Sequence, residues 1–210
     1  MRILAALLIA AAALAGCGGG DEEQTTASSP CRHVSAQKAH RVSVPGPPKQ
    51  TVKPGEKLAA VVKTSCGTFE IALATAQAPK TTNSFAYLAR KKFYDGLSFQ
   101  RIVPDYVIQG GDPLGNGTGG PGYSVDEAPP PNLSYTKGVV AMAKSAAEPP
   151  GRSGSQFFVV TKAAIPLDPS YALVGRVSKG IGVVDRIGRL GTPAELPKQP
   201  VRIDRITIRK

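Results

Sequence analysis

A chain of 210 residues with a formal charge of +11 is long enough for one sizeable domain with appendages. Its Lys and Arg residues are dispersed, and no basic run is interleaved with aromatics, so the excess charge reads as a solvated surface and argues against a nucleic-acid partner. Both histidines, His33 and His40, fall outside the patterned part of the chain, which excludes imidazole chemistry from the domain.

Met1 and Arg2 precede an apolar run, Ile3 to Leu14, that is too short to span a bilayer as a mature helix and matches a secretory signal. The run ends in Leu14-Ala15-Gly16-Cys17, which resembles the lipobox of bacterial lipoproteins. That resemblance implies a signal peptide over residues 1–16, a diacylglycerol on the Cys17 thiol and an extracytoplasmic protein anchored to the cell membrane. The alternative is an ordinary signal whose cysteine is incidental. Residues 17–57 are rich in Gly, Pro, Ser and Thr and poor in large apolar side chains, so they are expected to form a flexible tether. With Cys17 set aside, Cys31 and Cys66 remain as an even pair in an oxidising compartment, and a disulfide is predicted between them. Two free thiols are the other possibility.

The domain is expected over residues 58–210. Its opening predicts a hairpin about Cys66-Gly67, with Phe69, Ile71 and Leu73 on one buried face of the second strand. Pro79 sits at the first position of a predicted helix, with Phe85, Leu88 and Ala89 at helical spacing and Gly96 beyond its end. Short strands are predicted in FQRIVPDYVIQGG, KGVVAMAK, SGSQFFVV and YALVGRV. A second helix is predicted in GIGVVDRIGRLG, and a last strand, VRIDRITIR, slips its alternation between Ile203 and Ile206 as a bulge would. Many short strands with two helices predict a mainly β fold, an antiparallel sheet that removes its edges by closing into a barrel.

The familiar catalytic constellations are missing. The one cysteine of the domain is taken by the predicted disulfide, so a Cys/His metal cluster is excluded, and no metal or cofactor is expected. Asp126 and Glu127 are adjacent and flanked by Pro129 to Pro131, which does not suit paired-carboxylate hydrolysis. The loop Gly115 to Gly120 lacks the Gly-Lys-Ser/Thr ending of a phosphate-binding loop and no helix pattern follows it; a tight surface loop needing positive φ is the plainer reading.

What remains is an arginine, two glutamines and several aromatics. FQRIVPDYVIQGGD, followed by GNGTGGPGY, AMAKS and GSQFFVV, resembles the cyclophilin family of peptidylprolyl isomerases, in motif order and over essentially the whole of residues 58–210. The resemblance implies a closed eight-stranded antiparallel β-barrel capped by two α-helices. It also implies catalytic roles for Arg101 and Gln109. The proline pocket would be formed by Tyr106, Val107, Phe158 and Leu167, with Gln156 beside them and Tyr171 at the rim. Gly117 would let a substrate backbone approach, and Ala143, Lys144 and Ser145 would form the segment along which a peptide lies. Proline-containing polypeptides, exported ones given the signal, are the implied substrates of a chain expected to act as a monomer. Tyr106, Val107, Lys144 and Pro166 depart from the usual family residues. Lys144 and Pro166 in particular keep open an alternative, a proline-peptide-binding or chaperone module with weak or no catalysis.

Overall fold

The computed structural model describes residues 30–39 and 44–210. The signal peptide and Cys17, expected from the first residues, lie outside the described residues.

The hairpin about Cys66-Gly67 is β1 (Ala59–Thr64) and β2 (Gly67–Leu73). Strict alternation buries Ala60 and Val62 on one strand and Phe69, Ile71 and Leu73 on the other. The helix α1 (Pro79–Arg90) follows, with Pro79 in its first turn. Its N-cap position is Ala78, which supplies no side-chain acceptor. The acceptor comes instead from Glu127, whose carboxylate takes the N–H groups of Lys80 at 3.0 Å and Thr81 at 2.7 Å. A carboxylate at the positive end of a helix is favourable on both hydrogen-bonding and dipole grounds.

Four short strands come next: β3 (Arg101–Val103), β4 (Val107–Gly110), β5 (Val125–Asp126) and β6 (Val139–Met142). They are followed by β7 (Arg152–Ser153), β8 (Phe157–Val160), β9 (Leu173–Lys179), the helix α2 (Ile181–Gly188) and β10 (Ile203–Arg209). The two-residue strands β5 and β7 carry no alternation of their own; they pair with each other, fixed by the doubly bonded Arg152–Asp126 pair at 2.8 Å.

The other eight strands form one antiparallel sheet in the order β10-β1-β2-β9-β6-β8-β4-β3. It curls around a core made by Phe69, Phe99, Ile102, Ile108, Phe157 and Ile203. Phe85 and Leu88 of α1 and Val184 and Ile187 of α2 complete that core. The slipped alternation of the last strand is a bulge: Lys63 pairs with Arg205 and Thr64 with Ile203, leaving Asp204 as the extra residue.

The closed barrel expected from the sequence is not formed, and the sheet is a curled half-barrel. Its edge strands β3 and β10 make no ladder with each other. The start of β10 pairs instead with the approach to β3: Gly96 N–H donates to Ile203 O at 2.8 Å, and Ile203 N–H donates to Leu97 O at 2.7 Å. The free edge of the three-residue β3 is taken by a loop, Ile102 N–H donating to Glu195 O at 2.8 Å. The edges are thus protected by short length and by cover rather than by closure.

Much of the segment expected as a flexible tether lies against the domain. Cys31 and Cys66 are joined by a disulfide, and Arg32 N–H donates to Ser65 O at 2.7 Å. Farther along, Gln37 makes four hydrogen bonds, donating to Asp112 O and Pro113 O and accepting from the backbone and hydroxyl of Ser98. Asn83 of α1 accepts from Thr51 and Val52 and donates to Lys49 O, and Val52 is fully buried. A polar segment with few apolar side chains is held here by side-chain amides, Asn83 satisfying its backbone and Gln37 reaching out from it to polar groups of the domain, which no count of hydrophobic residues detects.

The bulge residue Asp204 accepts from Arg32 at 2.7 Å and Arg202 at 3.1 Å. Burial pushes its carboxyl up, but the hydrogen bonds and charges of the two guanidinium groups outweigh this and hold it below the ordinary value. A carboxyl depressed in the folded state stabilises fully above its unfolded value, about pH 4, and loses that contribution as pH falls through the lower folded value. Asp204→Asn is therefore expected to lower stability at neutral pH, with the gap from the wild type closing as pH falls below about 4, read from unfolding midpoints across pH. Replacing Cys31 and Cys66 together by Ser is expected to lower stability by about 3 kcal/mol or somewhat less, read as a shift in the denaturant midpoint.

Candidate active site

The antiparallel register puts Arg101 of β3 opposite Gln109 of β4, Gln109 opposite Phe158 of β8, and Phe158 opposite Ala141 of β6. Residues directly opposite each other share a face, so these four form one row across the outer surface of the curled sheet. Their neighbours in sequence, Ile102, Ile108, Phe157 and Val159, point into the main core. The outer face has its own apolar cluster, with Val107, Tyr135, Ala141, Phe158 and Leu173 buried in it. Against that cluster pack the partly buried Tyr106, Ala143, Leu167 and Tyr171.

A hollow of ≈ 240 Å³ opens over this cluster, walled by Arg101 and Gln109 on one side and Ala143 and Lys144 on the other. Tyr106, Val107, Phe158, Leu167 and Tyr171 supply the apolar surface. A wider groove of ≈ 620 Å³ adjoins it, sharing Gln109, Ala143 and Lys144 and bordered by Gly117, Ser145 and Gln156. All twelve residues expected at the site from the sequence thus line two connected depressions. Cys31 and Cys66 belong to the disulfide described above.

A continuous polar chain runs along the wall. Arg101 Nη1 donates to Gln109 Oε1 at 3.2 Å, and Gln109 Nε2 donates to Gln156 Oε1 at 2.9 Å. Gln156 Nε2 donates in turn to Gly117 O and Gly119 O, both at 2.9 Å, while Gln100 Nε2 donates to the same Gln156 Oε1 at 3.0 Å. The arginine is thereby connected to the glycine loop through two amides, each fixed by its neighbours rather than free to rotate.

The loop itself is built around Asp112. This buried carboxylate accepts the N–H groups of Leu114 at 2.8 Å, Asn116 at 2.9 Å and Gly117 at 2.5 Å. Gly117 has φ +88°, a conformation that costs a side-chain-bearing residue energy and glycine none. Gly119 is required for a different reason, since a Cβ there would stand 2.0 Å from Asp112 Oδ1. The glycines therefore wrap an internal carboxylate, on which three of the loop's backbone donors are spent.

Under the hollow lies Tyr135, which carried no motif in the sequence. Its hydroxyl donates to Tyr171 O at 2.9 Å and accepts from Tyr171 N–H at 3.0 Å. Burial pushes this hydroxyl's pKa up, so it stays protonated and able to donate. The rings of Phe158 and Tyr171 meet edge to face at 5.4 Å, and Tyr135 packs within 6.1 Å of both. At the rim, Lys144 Nζ lies 5.4 Å from the Tyr171 ring and donates to the carbonyls of Ser145 and Glu148. Arg101 Nε donates to Glu195 Oε2 at 2.7 Å, a partner that sits 94 residues away in a loop with no recognisable pattern. Among the described residues no group of His, Cys, Asp or Glu is placed to hold a metal ion.

Tyr135→Phe removes one donor and one acceptor while keeping the ring, leaving two backbone groups of Tyr171 unpaired. The expected result is a stability loss of about 1 to 3 kcal/mol with weakened binding of a proline peptide. Unfolding midpoints and peptide titration check both; two unchanged values would mean that Tyr135 does not hold the rim.

The sequence profile of the family described as "Cyclophilin type peptidyl-prolyl cis-trans isomerase/CLD" matches residues 59–208. Peptidyl-prolyl cis-trans isomerase-like 1 of Neurospora crassa is 42% identical over 138 residues, covering 64% of this chain and 83% of the relative. The protein of the same name from Mus musculus is 41% identical over 138 residues, covering 64% and 81%. Among solved structures, a cyclophilin-type peptidyl-prolyl cis-trans isomerase of Cryptosporidium parvum superposes with a TM-score of 0.67 at 28% identity, over 73% of this chain and 98% of that one. The relatives are eukaryotic isomerase-like proteins and not bacterial membrane lipoproteins, which overturns the extracytoplasmic, lipid-anchored placement expected from the first seventeen residues. No described helix is long and apolar enough to cross a membrane. The match over most of the chain, together with the curled sheet and its two helices, makes this protein a member of the cyclophilin-type peptidyl-prolyl cis-trans isomerase family and an enzyme of that class.

Proposed function

We propose that the domain over residues 58–210 isomerises X-Pro bonds of polypeptides without any covalent intermediate, using Arg101 as the working hydrogen-bond donor. The observation that carries this reading is a guanidinium, held on two sides, in the wall of an apolar hollow. A structure of the Cryptosporidium parvum relative determined in the presence of the dipeptide Ala-Pro supports a proline ligand for this fold.

The barrier to rotation about an X-Pro bond is amide resonance, about 18 to 20 kcal/mol. At the twisted transition state that resonance is lost, the prolyl nitrogen becomes pyramidal and its lone pair localises. A donor aimed at that nitrogen is bonded more strongly there than in the planar ground state, which is the differential binding that catalysis requires. The planar fork of Arg101 spares donors for a ligand after binding its own protein partners. The hollow contributes as well, since the planar amide is the more dipolar species and an apolar wall of Phe158, Val107 and Leu167 favours the twisted one.

In this reading Gln109 orients the guanidinium, the proline ring enters between Phe158, Leu167 and Tyr106, and Tyr171 closes the rim. The polypeptide on one side of the proline follows Ala143 to Ser145 past Gly117 and Gln156, into the wider groove. No nucleophile, metal or imidazole is called upon.

Exchange spectroscopy on a short proline peptide mixed with the protein reads binding and turnover together. Arg101→Ala is expected to lower the exchange rate at saturation about 100-fold, the loss typical of a single transition-state donor. Equal rates for Arg101→Ala and the wild type would overturn the mechanism.

A further inference from the structure

We infer that Glu195 is a positioning residue for the isomerisation, clamping Arg101 so that its remaining donors face the hollow; the inference rests on the proposed role of Arg101. Five N–H groups are available on a guanidinium. The Nε–H goes to Glu195 at 2.7 Å and one Nη1–H goes to Gln109 at 3.2 Å. These two bonds leave from different sides of the plane's fork, so together they fix both its place and its rotation, and they leave three N–H groups on a side chain that lines the hollow. With Gln109 alone the group would pivot about a single contact.

Glu195 is itself mounted on the strand that carries Arg101. Its carbonyl accepts from Ile102 N–H at 2.8 Å, and its own N–H donates to Thr192 O at 2.8 Å. Thr192 closes the turn from the other end, its backbone N–H and its hydroxyl both donating to Leu196 O, at 3.0 and 2.9 Å. Gly191 lies so close to β3 that a Cβ there would stand 2.8 Å from Ile102 O. The clamp and the clamped residue therefore move as one body.

The backbone of Glu195 is held at φ +62°. That region is strained for a residue with a Cβ and is visited routinely only by Gly, and occasionally by Asn and Asp. Strain of this kind persists where the surroundings over-determine it, and it concentrates at functional sites. A glycine would serve the turn better, so the glutamate is explained by its side chain. Stability does not explain it. The pair is half exposed, with 40% and 45% of the two side chains accessible, and such pairs contribute little to folding.

Holding the donor matters only when the prolyl nitrogen becomes basic, at the twist. The signature is thus a loss in kcat with unchanged ground-state binding, which is set by the apolar hollow. In exchange spectroscopy on the full chain with a short proline peptide, Glu195→Ala is expected to lower the rate at saturation about tenfold, with peptide Kd within twofold of wild type. Glu195→Gln keeps an acceptor for Nε–H and is expected to recover most of that loss. Glu195→Gly relieves the backbone strain, yet is expected to lose as much activity as Glu195→Ala. In an Arg101→Ala background Glu195→Ala is expected to add nothing, because the two act as a unit.

An unchanged or raised rate in Glu195→Ala overturns the inference, a rise meaning that the carboxylate restrains the arginine from its work. Full activity in Glu195→Gly, a rise in Kd that accounts for the whole loss, or an additive effect in the Arg101→Ala background also overturns it. Should Arg101→Ala itself leave the rate untouched, the mechanism fails at its first step; should only Glu195→Ala do so, the clamp alone fails.

Discussion

The site depends on one constraint, the antiparallel register that sets Arg101 opposite Gln109 and Gln109 opposite Phe158. Because strand side chains alternate between faces, a slip of one residue in β4 would send Gln109 into the core and bring Ile108 to the surface. The main core guards against that slip, since Ile102, Ile108 and Phe157 are fully buried on the inner face. Packing inside the curl therefore maintains the chemistry outside it. The same alternation makes the outer face apolar where Val107 and Phe158 stand and polar where Arg101 and Gln109 stand, one strand spacing away.

Around that row the structure spends its side-chain hydrogen bonds on immobilising polar groups. Gln156 joins Gln109 to two carbonyls of the glycine loop, Asp112 gathers three N–H groups of the same loop, and Gln37 supports the loop's first residues from the opposite side. Tyr135 grips the backbone of Tyr171 from below. Preorganisation of this sort matters for a reaction in which no bond is made or broken. A few kcal/mol of differential hydrogen bonding and solvation suffice, and they are available only if the donors need not reorganise at the moment of reaction.

Several features of the fold were legible along the chain. The hairpin about Gly67, the helix opened by Pro79, the helix after Gly180 and the bulged last strand each rest on a local signal: alternation, helical spacing, a proline, a slipped period. Expectations that needed knowledge of distant partners fared differently. The barrel was expected to close, but β3 is too short to ladder with β10 and its edge is covered by the loop carrying Glu195. The N-terminal segment was expected to stay free on account of its composition, yet Gln37, Asn83 and the Cys31–Cys66 bridge fasten its described part to the domain. The membrane placement read from the first residues fell to comparison with eukaryotic relatives.

The residues of the two hollows could be named before any coordinates because the motifs that carry the family resemblance are runs of neighbouring positions. Arg101, Gln109, Phe158 and Tyr171 stand in stretches whose pattern extends over several adjacent residues. Glu195, Tyr135 and Glu127 could not be named in this way, for each acts on a group brought to it by the turn of the chain. Glu195 meets a guanidinium 94 positions earlier, Tyr135 a backbone 36 positions later and Glu127 a helix start 47 positions earlier. A carboxylate or hydroxyl in a loop has the same local signature whether it faces water or holds another residue in place, and only the folded arrangement of β3, the 192–196 turn and the outer face of the sheet distinguishes the two.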